Sequence, residues 1–500
     1  MSIGSRSTKS LRLALLLYAF GTIILLIDFT LSINPLLGYV SGGVATVLYA
    51  FACVYDTRRI TAFSLLAINI SGGYIFGPLL AVIELGANGV APWTLQAAGS
   101  QHAYVFASSL GCLVVLVLIG LGELWGIAIF EISRFSSAPV HVRLSIVAIV
   151  LTFLIVLATA SGQVGYMGLM HAVNSSRTGI LGSLGETALA ISPMLLIAWF
   201  ATGSKGKFPV AILVVTLASI SVLTIITGRR YLLTLVIDIL LGYFVFWGRR
   251  FFKDVSLLRH GLIKKAIIRP LLISLLLGYG MILGAKGFQD IREASYYLGA
   301  RASPMTLVEF AIEHASTSAI QNAQYRIQSA QRIASLPAYL GAILETKGYD
   351  KFGVCFARGF VTAIPRLFLP GKIIILNRLR CSKADVADAR GLVVVDSPVT
   401  LLTYGFLDFG MLGLFLYPIG FAFLFNSITA VARANANLSI YVAAMSVATL
   451  TYIEQDIAFY FVNIRNAFII ILLCNLIFGL FLKMRIRTRR SIAVLEKSDI

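Results

Sequence analysis

"AYVFASSLGCLVVLVLIGLGE", residues 103–123, runs for 21 residues with its one charge at the last position. As an α-helix it rises about 30 Å, the thickness of a bilayer's hydrocarbon core. Stretches of this kind recur from end to end. Residues AVILMFWYC make up 58% of the chain and charged residues only 13%, with a mean hydropathy of +0.88. No ordinary soluble domain of 500 residues has that composition. The pattern predicts an all-α polytopic membrane protein with about twelve spans: 11–31, 35–55, 60–84, 103–123, 143–161, 179–201, 208–226, 231–247, 270–285, 409–428, 438–457 and 466–482. The first has no small-residue cleavage site behind it and reads as a retained helix.

A net charge of +19 would suggest nucleic acid in a soluble chain. Here the placement of the cations argues for topology instead, and nucleic acid is not an expected partner. With the N-terminus in the cytoplasm, the inner segments collect 23 of the 41 Lys and Arg. They include Arg58 and Arg59, seven in 248–269, Arg433 and the tail "KMRIRTRR". The short outer loops hold only Arg177, Arg229, Arg230 and Arg465, and the other 14 fall in one long segment, 286–399, which the positive-inside rule largely exempts. The organisation read from this is helices 1–9 in 1–285, a large, partly helical external loop in 286–399, and helices 10–12 with a basic cytoplasmic tail in 400–500. Both termini are expected on the cytoplasmic side of the membrane. Within the loop, "FGVCFARGFVTAIPRLFLPGK" reads as an amphipathic helix ending near Pro365. The loop is expected to fold over the outer mouth of the bundle.

Arg229 and Arg230 stand between two closely spaced spans, at the outer water–lipid boundary. They either snorkel to lipid phosphates or point into a cavity and bind an anion such as pyrophosphate, whose oxygens match guanidinium's forked donors. Arg358 and Arg366 are eight residues apart, which places both on one face if a helix runs through; Lys372, Arg378 and Arg380 follow. Asp28, Glu84, Glu186, Asp408, Glu454 and Asp456 lie at or near outer span ends, as structural counter-ions or as working groups. A transferase acting on a sugar hydroxyl wants one general base, and Glu313, His314, Asp396 and Asp408 are the candidates. The five histidines are scattered, and no metal-ligand spacing, Walker A sequence or dinucleotide glycine pattern is present, so neither a metal nor another cofactor is expected. Cys53, Cys112 and Cys474 read as packing residues, whereas Cys355 and Cys381 share the long loop and can pair if it faces an oxidising compartment.

"TGRRYLLTLVIDILLGY", "IPRLFLPGK" and "DSPVTLLTYGFLDFGMLG", with its F-G-x-x-G, resemble segments of the Wzy-type O-antigen (oligosaccharide repeat unit) polymerases. Arg380 and Gly391 stand at the arginine–glycine spacing some members carry in external loops; Arg230 does not. The architecture is similar over most of the length. The resemblance implies joining of undecaprenyl-pyrophosphate-linked oligosaccharide repeat units into surface polysaccharide (O-antigen, capsule or exopolysaccharide) outside the cytoplasm. Arg229, Arg230, Arg358, Arg366 and Arg380 would then hold pyrophosphate, and membrane lipids and a chain-length regulator are candidate partners. An exporter or flippase of lipid-linked oligosaccharide is the alternative reading. O-antigen ligases share the outline but usually carry a histidine before the helix after the large loop, which is missing here. An O-acyltransferase would have His171 as its only weak candidate.

Overall fold

The computed structural model describes residues 3–31, 35–79, 82, 101–130, 147, 149–158, 180–201, 309, 336–345, 351–381, 400–434, 436–451 and 457–498. Among these no strand occurs. The helices are α1 (Ile3–Leu31), α2 (Leu36–Tyr55), α3 (Ala62–Ser71), α4 (Gln101–Trp125), α5 (Ile149–Ala158), α6 (Ile180–Ala201), α7 (Leu336–Glu345), α8 (Val354–Ala363), α9 (Lys372–Arg378), α10 (Leu401–Ala432), α11 (Ala436–Leu450) and α12 (Ile457–Ser498). Six stretches among the described residues are long and apolar enough to cross a membrane: Lys9–Leu31, Leu36–Tyr55, Ala62–Leu79, His102–Trp125, Leu401–Ala432 and Ile457–Leu480. Helices α5, α6 and α11 fall on three further expected spans, while 208–226, 231–247 and 270–285 lie outside the described residues.

The contacts between helix ends define two distinct ends of the bundle. At one, Asp56 accepts from the backbone N–H of Arg58, and Thr61 and Ser64 form a capping box that starts α3. Arg59 pairs there with Glu123, and Asn426 accepts from Ile127 N at 2.7 Å while donating to Trp125 O at 3.1 Å. Arg433 donates to Ala128 O at 2.9 Å. This is the basic end. At the opposite end α1 finishes beside the start of α4, with Phe29 stacked on Phe106 at 4.6 Å.

Between the ends, polar groups inside the bundle are satisfied by one another, as a low-dielectric surrounding requires. The Tyr18 hydroxyl lies 2.6 Å from Thr46 Oγ1 and 2.9 Å from Ser71 Oγ, joining three helices. Asn69 donates to Leu450 O at 2.7 Å and so caps the C-terminus of α11. After Ser71 the chain makes one π turn, Gly72–Phe76, and this brings the Tyr74 hydroxyl 2.8 Å from Thr400 Oγ1 at the start of α10. Meanwhile Leu16, Ile23, Val44, Phe51, Leu412, Leu416, Leu472 and Leu476 stay exposed. Large apolar side chains exposed along several long helices in this way belong in lipid.

Two sequence expectations change. Helix α10 does not simply begin a span near 409: it is broken at Phe409 and Gly410, so 401–408 is a short helix of its own that turns sharply into 411–432. Helix α12 starts at Ile457, not 466, so Arg465 lies inside a helix and not in a short outer loop. The apolar run "IAFYFV" has α8 to pack on, which holds those residues helical. Within the 286–399 segment, α7 is buried from Leu336 to Ile343, and Gly341 leaves room for the Ala103 backbone at the start of α4.

Candidate functional site

The end opposite the basic one carries residues 351–381, six cations and no acid in 31 residues. Gly353 sits in the left-handed region (φ 84°) and turns the chain into α8. The free N–H groups of a first helical turn want an acceptor, and Asp408 supplies it from across the fold. Cys355 N and Phe356 N each donate to the Asp408 carboxylate at 3.0 Å, and the Tyr417 hydroxyl donates to it from the other side. Asp408 is fully buried. It is positioned by the break in α10, one residue before Phe409.

Helix α8 ends at Ala363 because Pro365 follows and the residue before a proline avoids the helical region. Its last carbonyls need donors, and two cations provide them. Lys372 Nζ donates to Thr362 O and Ile364 O, both at 2.6 Å, and Arg465 donates to Ala363 O at 2.9 Å. Burial, with added repulsion from Arg465 and Arg366, pushes Lys372 below the ordinary lysine value. The end of α9 is closed similarly: Arg358 donates to Leu376 O at 2.9 Å and Leu379 O at 2.7 Å. Arg465 continues inward through Ser183, Asn466, Thr187 and Asn463, a hydrogen-bonded polar run between α6 and α12.

A disulfide, Cys355–Cys381, ties the first turn of α8 to a residue three positions past the end of α9, with Cα atoms 5.2 Å apart. Closing a loop across a sequence separation of 26 restricts the unfolded chain by about 3 to 4 kcal/mol in the chain-entropy picture. Replacing both cysteines with serine is therefore expected to lower the thermal midpoint and to open 351–381 to protease, with α10 and α12 still folded. Unchanged proteolysis with and without reductant would show that the bond adds nothing.

Beneath α8 lies an apolar cleft of about 500 Å³ lined by Phe356, Phe409, Leu416, Tyr417, Gly420, Phe421, Leu424 and Phe461. Phe356 and Phe360 meet the Phe461 ring edge-on, with centroids at 5.2 and 5.8 Å, and this fixes α8 over α12. The exposed Leu416 and Leu424 put the cleft on the bundle's apolar exterior. The arrangement thus has a cationic roof beside an apolar cleft, which suits an amphiphile with an anionic head.

Of the candidate site residues, Asp408, Arg358, Arg366 and Arg380 come together in this unit. Arg358 and Arg366 do not share one helical face, because α8 stops between them. Arg366 and Arg380 are exposed. Arg229, Arg230, Glu313, His314 and Asp396 lie outside the described residues. Sequence reasoning missed Arg465 and Tyr417. The signal for Arg465 was its polar company, Asn463 and Asn466, in an otherwise apolar run. No protein-family model, no curated protein and no solved structure matches the chain.

Proposed function

We propose that the protein is a membrane glycosyltransferase that polymerises lipid-pyrophosphate-linked oligosaccharide repeat units into surface polysaccharide at the periplasmic face of the bacterial inner membrane. The observation carrying this reading is the cation-only hairpin 351–381 beside an apolar cleft. A lipid-linked glycan pyrophosphate presents the matching pair, an anionic head joined to a long hydrocarbon. The Cys355–Cys381 bond supports an oxidising compartment for this end, and the gathering of Arg58, Arg59 and Arg433 at the other supports a cytoplasmic one. On the sequence expectation of about twelve spans, Arg229 and Arg230 also belong to the outer boundary and add to the cations of Arg366 and Arg380. Guanidinium groups there stabilise the departing pyrophosphate as its charge develops, while a carboxylate or His314 takes the acceptor's proton.

The test is the length distribution of surface polysaccharide, by gel, in a strain lacking the gene and restored with variants. Arg366→Ala with Arg380→Ala, and separately Arg229→Ala with Arg230→Ala, are expected to lose long chains by about a hundredfold or more while single repeat units persist. Wild-type chain length in every variant, with the protein inserted at normal levels, would sink the assignment. The polar run from Arg465 into the bundle favours a second reading, export of the lipid-linked unit. In that case the gene's loss removes single-unit product as well.

A further inference from the structure

The tip of the hairpin is at odds with an aqueous position. Leu367 and Phe368 are 84% and 75% exposed, and Ile373 and Ile374, just across the Pro365–Lys372 turn, are 51% and 61% exposed. Four large apolar side chains within eight residues are an interaction surface, not scattered surface leucines. The turn that presents them is built, not slack: Phe368 N donates to Pro365 O at 3.0 Å, Leu369 N to Arg366 O at 3.2 Å and Lys372 N to Leu369 O at 3.0 Å. Lys372 then clamps it to the end of α8, and the disulfide closes its base.

What covers this tip is indicated by two further features. The base of the hairpin is continuous with the bundle's apolar exterior, since Phe356 and Phe409 line one cleft with Leu416, and Met411 and Leu412 carry the exposed surface onward down α10. Arg366, Arg378 and Arg380 flank the apolar residues and are exposed, with no acid anywhere in 351–381. Aromatic and aliphatic side chains bracketed by arginines are the composition of a segment lying in the headgroup–acyl boundary.

We propose that residues 366–374 insert into the membrane interface at this end of the bundle, with Leu367, Phe368, Ile373 and Ile374 among acyl chains and the neighbouring arginines on the phosphates of anionic phospholipid. The lipid leaflet is the occupant. The inference requires only that the bundle spans a membrane, and it stands whichever reaction the protein performs. It gives the cationic hairpin and the apolar cleft beside it a fixed height: the hairpin floats at the phosphate plane, where a lipid-borne anion arrives.

The experiment uses the full chain in phosphatidylglycerol nanodiscs, with Phe368→Cys and, separately, Ile374→Cys carrying a nitroxide. The free cysteines Cys53, Cys112 and Cys474 are buried, which leaves the introduced site as the reactive one. Collisional relaxation by oxygen, which partitions into lipid, is compared with that by a water-soluble nickel chelate. The expected result is an oxygen-to-nickel ratio several-fold above that of a label at Ala434→Cys, an exposed position at the basic end, and a lower ratio when phosphatidylcholine replaces phosphatidylglycerol. Ratios equal to the Ala434 control at both positions would overturn insertion. Labels shielded from both reagents would overturn the lipid as occupant and indicate a protein partner. A ratio indifferent to headgroup would overturn the arginines' preference for anionic phospholipid. Two label positions on separate elements guard against one variant failing to fold.

Discussion

Gly413→Ala is expected to leave no monodisperse protein, whereas Gly420→Ala, seven residues further along the same helix, behaves as wild type. The reason lies in how α10 is broken. Phe409 leaves the helical region (φ −138°, ψ 19°) and Gly410 takes φ 60°, ψ −145°, a conformation that a side chain makes costly by about 1 to 3 kcal/mol. The chain reverses there so tightly that the backbones of Gly405 and Gly413 lie against each other. A Cβ on Gly413 would land on the Gly405 carbonyl, and one on Gly405 would land on the Gly413 carbonyl. Neither obstacle is a flexible side-chain tip, so neither can step aside. The cost exceeds about 4 kcal/mol, beyond the usual penalty for overpacking. At Gly420 an added Cβ meets nothing within 4 Å. That substitution should change stability by less than about 1 kcal/mol, with the helix propensity of alanine in its favour. Size-exclusion profiles and thermal midpoints in detergent compare the two, and a well-behaved Gly413→Ala protein would mean that the chain is not reversed at this point.

The same stretch shows what the sequence discloses and what it hides. Long apolar runs such as 103–123 identify themselves, because only a helix satisfies its backbone in hydrocarbon. The end of α8 was legible from Pro365, and Cys355 and Cys381 were the one pair of cysteines outside the expected spans. The helix 401–408 was not legible. Its eight residues, LLTYGFLD, are too few to cross a membrane and include Thr403 and Asp408, so the expected span began only at 409, and the glycines at 405, 410 and 413 alone mark the reversal. Arg465 was misplaced for the opposite reason: a charge in an apolar run suggests a loop, yet here it is satisfied by Ala363 O, Ser183 and Asn466, two of them far away in sequence. Lys372 was visible as one of several cations, but the carbonyls it caps come within reach only after the chain has folded back over α8.

Asp408→Ala is expected to release the hairpin. Removing the carboxylate strands Cys355 N–H, Phe356 N–H and the Tyr417 hydroxyl around a buried site. Leaving charge-assisted donors unpaired in such a place costs about 3 to 5 kcal/mol, against about 1 to 2 for Tyr417→Phe, which deletes a donor and leaves the helix cap intact. The consequence is local. The disulfide still closes 351–381, but α8 loses its hold on α10, so protease should cut the hairpin of Asp408→Ala in proteoliposomes and spare that of Tyr417→Phe. Asp408→Asn separates anchoring from chemistry. Its amide keeps one acceptor oxygen but turns an NH₂ toward groups that are themselves donors, so an anchor should lose an intermediate share of stability in Asn. A general base, by contrast, would leave Asn with the wild-type thermal midpoint and no polymer. Three donors already converge on this carboxylate inside the fold, which favours the first outcome. An Asp408→Asn protein with wild-type stability and abolished polymer would move Asp408 from the scaffold to the reaction.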